Sequence, residues 1–71
     1  MTDKEFLKKL GKKILKTREL LGITQEELAQ KVKLTRMHIY RIEKGESPTT
    51  VIILRNISKA LKMSLKDLVD L

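Results

Sequence analysis

The sequence contains no cysteine and no tryptophan. The first absence excludes disulfides and thiolate metal sites, and it suits a reducing compartment. The aromatic residues are Phe6 and Tyr40 alone. So few rings argue against a reader of single-stranded nucleic acid, which stacks bases on aromatic side chains. The one histidine, His38, has no second histidine or cysteine with which to share a metal. No nucleophile or paired carboxylate accompanies it, so a ligand or acid–base role has no support, and a surface or backbone-contacting histidine is the default. No apolar run approaches the roughly 18–20 residues that span a bilayer. The polar start, Met1 to Glu5, lacks a signal-peptide pattern. No phosphate loop, metal cluster or nucleophile–base set appears. The expectation is a cytoplasmic protein that is not an enzyme, with no cofactor, no metal and no evident small-molecule effector.

The 71 residues allow one small domain, taken as 1–71. A domain of this size buries only about 60% of its unfolded surface, so its stability margin is thin. The formal charge is +7, with a pI near 9.9. That balance favours a polyanionic partner: nucleic acid, an anionic membrane surface or an acidic protein.

Apolar residues recur at spacings of three and four, which points to an all-α fold of five helices with no strands. The first helix spans about Thr2 to Leu21, with Thr2 as N-cap and Glu5 as its capping-box partner. Phe6, Leu7, Leu10, Ile14, Thr17 and Leu21 share one face. Lys4, Lys8, Lys9, Lys12, Lys13 and Lys16 share the other. Leu15 and Leu20 break the pattern, and Arg18 lies at the border of the apolar face, where it needs a partner. The lysine face reads first as solvated surface, then as an attraction for DNA phosphates, and least as a membrane-surface helix.

Thr24 and Glu27 open a second helix, about Gln25 to Val32, whose inward edge is Leu28, Ala29 and Val32. Small Ala29 admits close approach of another helix. After a turn at Lys33 and Leu34, Thr35 caps a third helix, about Arg36 to Lys44, stopped by Gly45. Ile39 and Ile42 face inward. Arg36, Met37, Tyr40, Arg41 and Lys44 face outward. Thr50 caps a fourth helix, about Val51 to Leu61, with Val51, Leu54, Ile57, Ser58 and Leu61 as the buried edge and Ile52 and Ile53 left over. Ser64, with Asp67, caps a fifth, about Leu65 to Leu71. Acidic residues follow three positions after Thr2, Thr24 and Ser64 but not after Thr35 or Thr50. The third helix therefore begins electropositive and open to anions.

Two short helices joined by a tight turn, with a basic outer edge on the second, fit a helix-turn-helix at about 24–45. The sequence also resembles the phage Cro/repressor-type (XRE-like) helix-turn-helix family over roughly Ile14 to Leu71. The resemblance rests on Arg18 with Leu21-Gly22-Ile23-Thr24-Gln25-Glu26-Glu27-Leu28-Ala29, then Ile39-Tyr40-Arg41-Ile42-Glu43-Lys44-Gly45. It continues in Ile57-Ser58-Lys59-Ala60-Leu61 and Ser64-Leu65-Lys66-Asp67-Leu68. No single piece is specific; the ordered set at this spacing is. It implies a compact five-helix, lambda-repressor-like DNA-binding domain and a regulator of transcription whose third helix, about 36–44, enters the major groove.

By position, the resemblance implies that Gln25 touches a phosphate and braces the recognition helix. It implies that Thr35, Arg36, Met37, Tyr40 and Arg41 face DNA, and that Arg18 and Glu43 form a partly buried salt bridge. Many relatives have glycine where this chain has Lys33, because the turn tends to need positive φ. Phe6 and the lysines before Ile14 lie outside the shared core, so the family supplies no role for them. Arg36 and Arg41 are the candidates for guanine reading, with phosphate contact as the competing role. Met37 can touch a thymine methyl, and Lys44 is a phosphate contact. The expected partners are double-stranded DNA and a second copy of the chain, a homodimer on two half-sites about one helical turn apart. Leu65, Val69 and Leu71 are the candidate dimer surface, extended by Met63 and the Ile52/Ile53 surface. A protein-interaction module or an antitoxin-type regulator on the same fold is the alternative. Repressor and activator roles both remain open.

Overall fold

The structure, a computed structural model, describes residues 1–71. Five helices follow one another: α1 Asp3–Leu20, α2 Gln25–Val32, α3 Arg36–Glu43, α4 Val51–Ala60 and α5 Leu65–Val69. Every one starts on a hydroxyl. The side chains of Thr2, Thr24, Thr35, Thr50 and Ser64 each accept the backbone N–H three residues on. That contact satisfies one of the donors a helix start leaves free. Of the three expected capping boxes only that of α2 closes fully, with Glu27 accepting the Thr24 N–H at 3.0 Å. Glu5 bonds the Thr2 hydroxyl instead, and Ser64 accepts from Asp67 without a reciprocal bond. The two bonds to Thr24, backbone first and then hydroxyl, hold the Glu27 carboxyl below its ordinary range, with Lys31 adding to the effect.

Four helices end in the same way. The N–H groups of Ile23, Leu34, Glu46 and Met63 reach back to the carbonyls of Arg18, Ala29, Arg41 and Ser58, at 2.9–3.0 Å. Each such closure turns through a residue of positive φ, which is Gly22, Lys33, Gly45 and Lys62 in turn. Glycine adopts this conformation freely, whereas lysine does so at a cost of about 1–2 kcal/mol. At Lys33, φ is 58° and ψ is 42°. The turn inside the helix-turn-helix thus has the left-handed geometry that glycine usually supplies. Ile23, Leu34 and Met63, the apolar residues after three of these turns, pack against the core.

α2 and α3 pack on each other, α1 packs on α3 and α5, and α4 packs on α2 and α5. Leu10 and Ile14 from α1 meet Leu28, Ala29 and Val32 from α2, Ile39 and Ile42 from α3, Leu54, Ile57 and Leu61 from α4 and its end, and Leu68 from α5. Burying such side chains contributes about 1.5–3 kcal/mol for each large one.

Three sequence expectations fail in this packing. Leu21, expected on the inner face of α1, is exposed as its C-cap, since the chain turns away there. Val51, expected inside, is 69% exposed. It lies two turns before Ser58 on the polar border of the buried stripe, and half-buried Ile53 takes the inward place beside Leu54. Lys13, assigned to the solvated face, is half-buried. Its ammonium donates to the backbone carbonyls of Asp67 and Asp70, the latter at 2.8 Å. A cation there satisfies carbonyls that the end of α5 leaves free and complements the helix dipole.

Candidate nucleic-acid interface

α3 is eight residues long, too short to hold its shape alone, so its position comes from what it packs against. Ile39 and Ile42 bury its inner edge. Hydrophobic contact is non-directional and does not by itself fix how a helix is rotated. A polar group does that here. Arg18 lies buried on α1 and Glu43 lies buried at the end of α3. The Nε of Arg18 donates to Oε2 of Glu43 at 2.7 Å, and Nη2 donates to Oε1 at 3.1 Å. A third donor, Nη1, meets the carbonyl of Ile23 at 2.9 Å. Gln25, first in α2, donates its Nε2 to Oε1 of Glu43 at 2.9 Å. One carboxylate therefore joins α1, α2 and α3. The planar guanidinium fork suits such a two-point contact.

The backbone of α1 completes the seat. Gly11 is buried, and a Cβ there would lie 2.4 Å from the carbonyl oxygens of both Ile42 and Glu43. One turn away, a Cβ on Gly45 would lie 2.8 Å from the Cα of Lys8. Gly11 was not singled out in the sequence. Its signal was available: a glycine inside an amphipathic helix, on the apolar side between Leu7 and Ile14, costs helix stability and marks a close approach.

The outer side of α3 carries Arg36, Met37, Tyr40 and Arg41, and Lys44 follows as its C-cap, all exposed. Lys44 holds its ammonium 5.7 Å from the centre of the Tyr40 ring. Thr35 is exposed, and its hydroxyl accepts the His38 N–H at 3.1 Å. No acid stands in the first turn of α3. The structure thus brings Arg36, Met37, Tyr40, Arg41 and Lys44 to one surface. Thr35 stands at its leading end. Gln25 lies half-buried beside it, with Tyr40 and Lys44 lining the same shallow cleft.

This order of helices, turn and basic surface is that of a helix-turn-helix, and a profile of the helix-turn-helix family HTH_3 matches residues 14–68. The chain belongs to that family. HTH_3 proteins of this XRE type are DNA-binding transcription regulators. A relative from Methanothermobacter thermautotrophicus, an uncharacterized HTH-type transcriptional regulator, is 46% identical over 44 residues. The match covers 62% of this chain and 64% of that relative. Among solved structures, the restriction-modification controller protein C.AhdI from Aeromonas hydrophila superimposes with a TM-score of 0.85 at 26% identity, covering 87% of this chain and 94% of that one. The clp gene regulator ClgR from Corynebacterium glutamicum gives a TM-score of 0.86 at 24% identity, over 89% of this chain and 67% of that one. The likeness to ClgR is one of fold. No helix of this HTH_3 chain is long and apolar enough to cross a membrane.

Proposed function

We propose that the chain is a sequence-specific regulator that binds double-stranded DNA, with α3 in the major groove, as a homodimer on a palindromic operator. The observation that carries this reading is the outer face of α3. It presents two arginines, a methionine, a tyrosine and a lysine with no acid in its first turn, on a helix whose rotation the Arg18–Glu43–Gln25 group fixes. Arg36 and Arg41 read guanine, each bidentate contact discriminating by about 1–3 kcal/mol. Met37 meets a thymine methyl. Gln25, Thr35, Tyr40 and Lys44 hold phosphates and set the register. The whole chain, 1–71, acts as one DNA-binding domain.

A single recognition surface of this size is small, and two-fold pairing supplies affinity and half-site spacing. Exposed apolar groups support the α4 and α5 side as the surface between copies. Ile52 is 64% exposed, and Val51 and Leu71 are also open to solvent. Leu65 and Val69 give part of their surface to the chain's own core, so they form the base of that surface.

Selection of duplex sites from a random pool tests the reading. A palindrome is expected, and it reports operator and dimer together. Arg41→Ala is expected to relax one position in each half-site. An unchanged site removes the base-reading role of Arg41, and no enrichment of duplex at low salt removes the function.

A further inference from the structure

We infer that the flank of α1 that faces α3 extends the DNA contact beyond the helix-turn-helix, with Lys8 and Lys12 gripping backbone phosphates beside the C-terminus of the recognition helix. The inference rests on the DNA-binding reading above. It assigns a task to residues that precede the segment matched by the family, which begins at residue 14.

Three observations carry it. First, α1 is locked to the last turn of α3 with no slack, because the Cα of Lys8 abuts Gly45 and the Gly11 backbone abuts the Ile42 and Glu43 carbonyls. Lys8 therefore moves with the recognition helix and is not a loose neighbour. Second, Lys8, Lys9, Lys12, Leu15, Glu43 and Lys44 line one open groove. Leu15, Glu43 and Lys44 also border the adjoining cleft that holds Gln25 and Tyr40. The basic path is thus continuous from the proposed phosphate contacts at Gln25 and Lys44 onto α1. Glu43 is the one acid along it, and its carboxylate is engaged by Arg18 and Gln25. Third, the opposite flank of α1 is differently occupied. Lys13 is bound to carbonyls at the end of α5, and Lys16 stands in the cleft that holds Asp70, a cleft whose near rim is formed by Lys9 and Lys12. Of these two clefts, Lys8 therefore borders only the groove beside α3, Lys13 and Lys16 border only the cleft of Asp70, and Lys9 and Lys12 stand on the crest between the two.

The spacing suits a strand of duplex DNA. Lys8 and Lys12 stand one turn apart, about 6 Å along α1. One strand presents a phosphate about every 3.4 Å of axis, so the pair covers about two. Each lysine is a point charge on a flexible stem, suited to phosphate and indifferent to base sequence.

The test measures binding of the full chain to its selected duplex between about 50 and 200 mM salt. Relative to wild type, Lys8→Gln/Lys12→Gln is expected to flatten the slope of log K against log salt by about 1.8 per protomer, about 3.6 for the homodimer on both half-sites, and Lys12→Gln alone by half as much. Lys16→Gln, which removes the same charge from the other flank, is expected to leave the slope unchanged. The selected sequence is expected to be the same for all, and thermal melts confirm that each variant is folded. A wild-type slope in Lys8→Gln/Lys12→Gln overturns the inference and leaves the regulator reading standing. Equal flattening by Lys16→Gln also overturns it, since net charge alone then explains the effect. Loss of binding to phosphatidylserine vesicles with no change in the duplex slope overturns it in favour of a membrane-facing role. Failure of the wild-type chain to bind any duplex ends both readings together.

Discussion

Gly11→Ala separates helix propensity from tertiary fit. In an isolated helix the change is favourable by about 0.8–1.0 kcal/mol. In this fold the added Cβ lands 2.4 Å from the Ile42 and Glu43 carbonyl oxygens and 2.7 Å from the Glu43 carbonyl carbon, where ordinary contact begins near 3.4 Å. All three atoms are backbone, so no side chain can swing aside. The end of α3 is itself tied, because the Gly45 N–H bonds the Ile42 carbonyl at 3.0 Å. Relief requires α1 and α3 to part by about 1 Å, and overpacking of this kind costs about 1–3 kcal/mol. The same movement stretches the Arg18–Glu43 bonds beyond hydrogen-bond range. The expected net loss, after the propensity gain, is about 2–4 kcal/mol. Urea denaturation reads it as a lower midpoint with an unchanged slope. Lys12→Ala, at the neighbouring exposed position, is the control and is expected to be close to neutral. A Gly11→Ala protein as stable as wild type, or more so, refutes the close-contact argument and with it the rigid seat of α3.

Removing one side of the buried pair by Arg18→Met leaves Glu43 charged and buried and is expected to cost about 3–5 kcal/mol, whereas Arg18→Met/Glu43→Leu costs less; chemical denaturation of both checks this, and equal losses contradict it. Lys33→Gly relieves a left-handed φ of 58° and is expected to raise stability by about 0.5–1 kcal/mol, after the entropy that glycine adds to the unfolded chain; a lower melting temperature counts against strain in the turn. Glu27 has a folded-state pKa below its ordinary value through its bonds to Thr24. Its contribution is therefore complete above the ordinary glutamate range, about 4.3, and is lost as pH falls through the lowered folded value. Melts of Glu27→Ala from neutral to acid pH are expected to show a shallower acid decline than wild type, and an identical decline rejects the capping-box origin.

Positions with a local signature were legible. Five hydroxyl caps marked five helix starts, and all five lie where the residue pattern placed them. Gly22 and Gly45 marked two helix ends. The other two left-handed turns fall on Lys33 and Lys62. The Lys33 turn was inferred by resemblance and the Lys62 turn was not anticipated, since lysine carries no such preference. An apolar residue directly after the turn, Leu34 or Met63, is the trace that does remain. The outward side of α3 followed from period alone. Long-range contacts did not. Nothing near Lys13 in the chain reveals that α5 ends beside it, and nothing near Gln25 names Glu43 as its hydrogen-bond partner. Exposure of Val51 depends on which side of α4 meets α2 and α5, and the wheel gives that stripe only to within a residue.

How α3 is held bears on how specificity can vary. Its inner residues, Ile39 and Ile42, supply adhesion, and Glu43 with Gly11 beneath it supplies orientation. None of these four is exposed. Arg36, Met37, Tyr40 and Arg41 point the other way, and no side-chain hydrogen bond or ion pair ties the two arginines into the fold. Adhesion, orientation and proposed base reading thus fall on separate residues of an eight-residue helix. Exposed substitutions away from such anchors change stability by about 0.5 kcal/mol or less. A core this small has little margin to lose. The separation lets the outer residues change with the operator while the seat stays fixed. Positional precision is what a major-groove contact requires, because a bidentate hydrogen bond to a base edge fails when its donors are displaced.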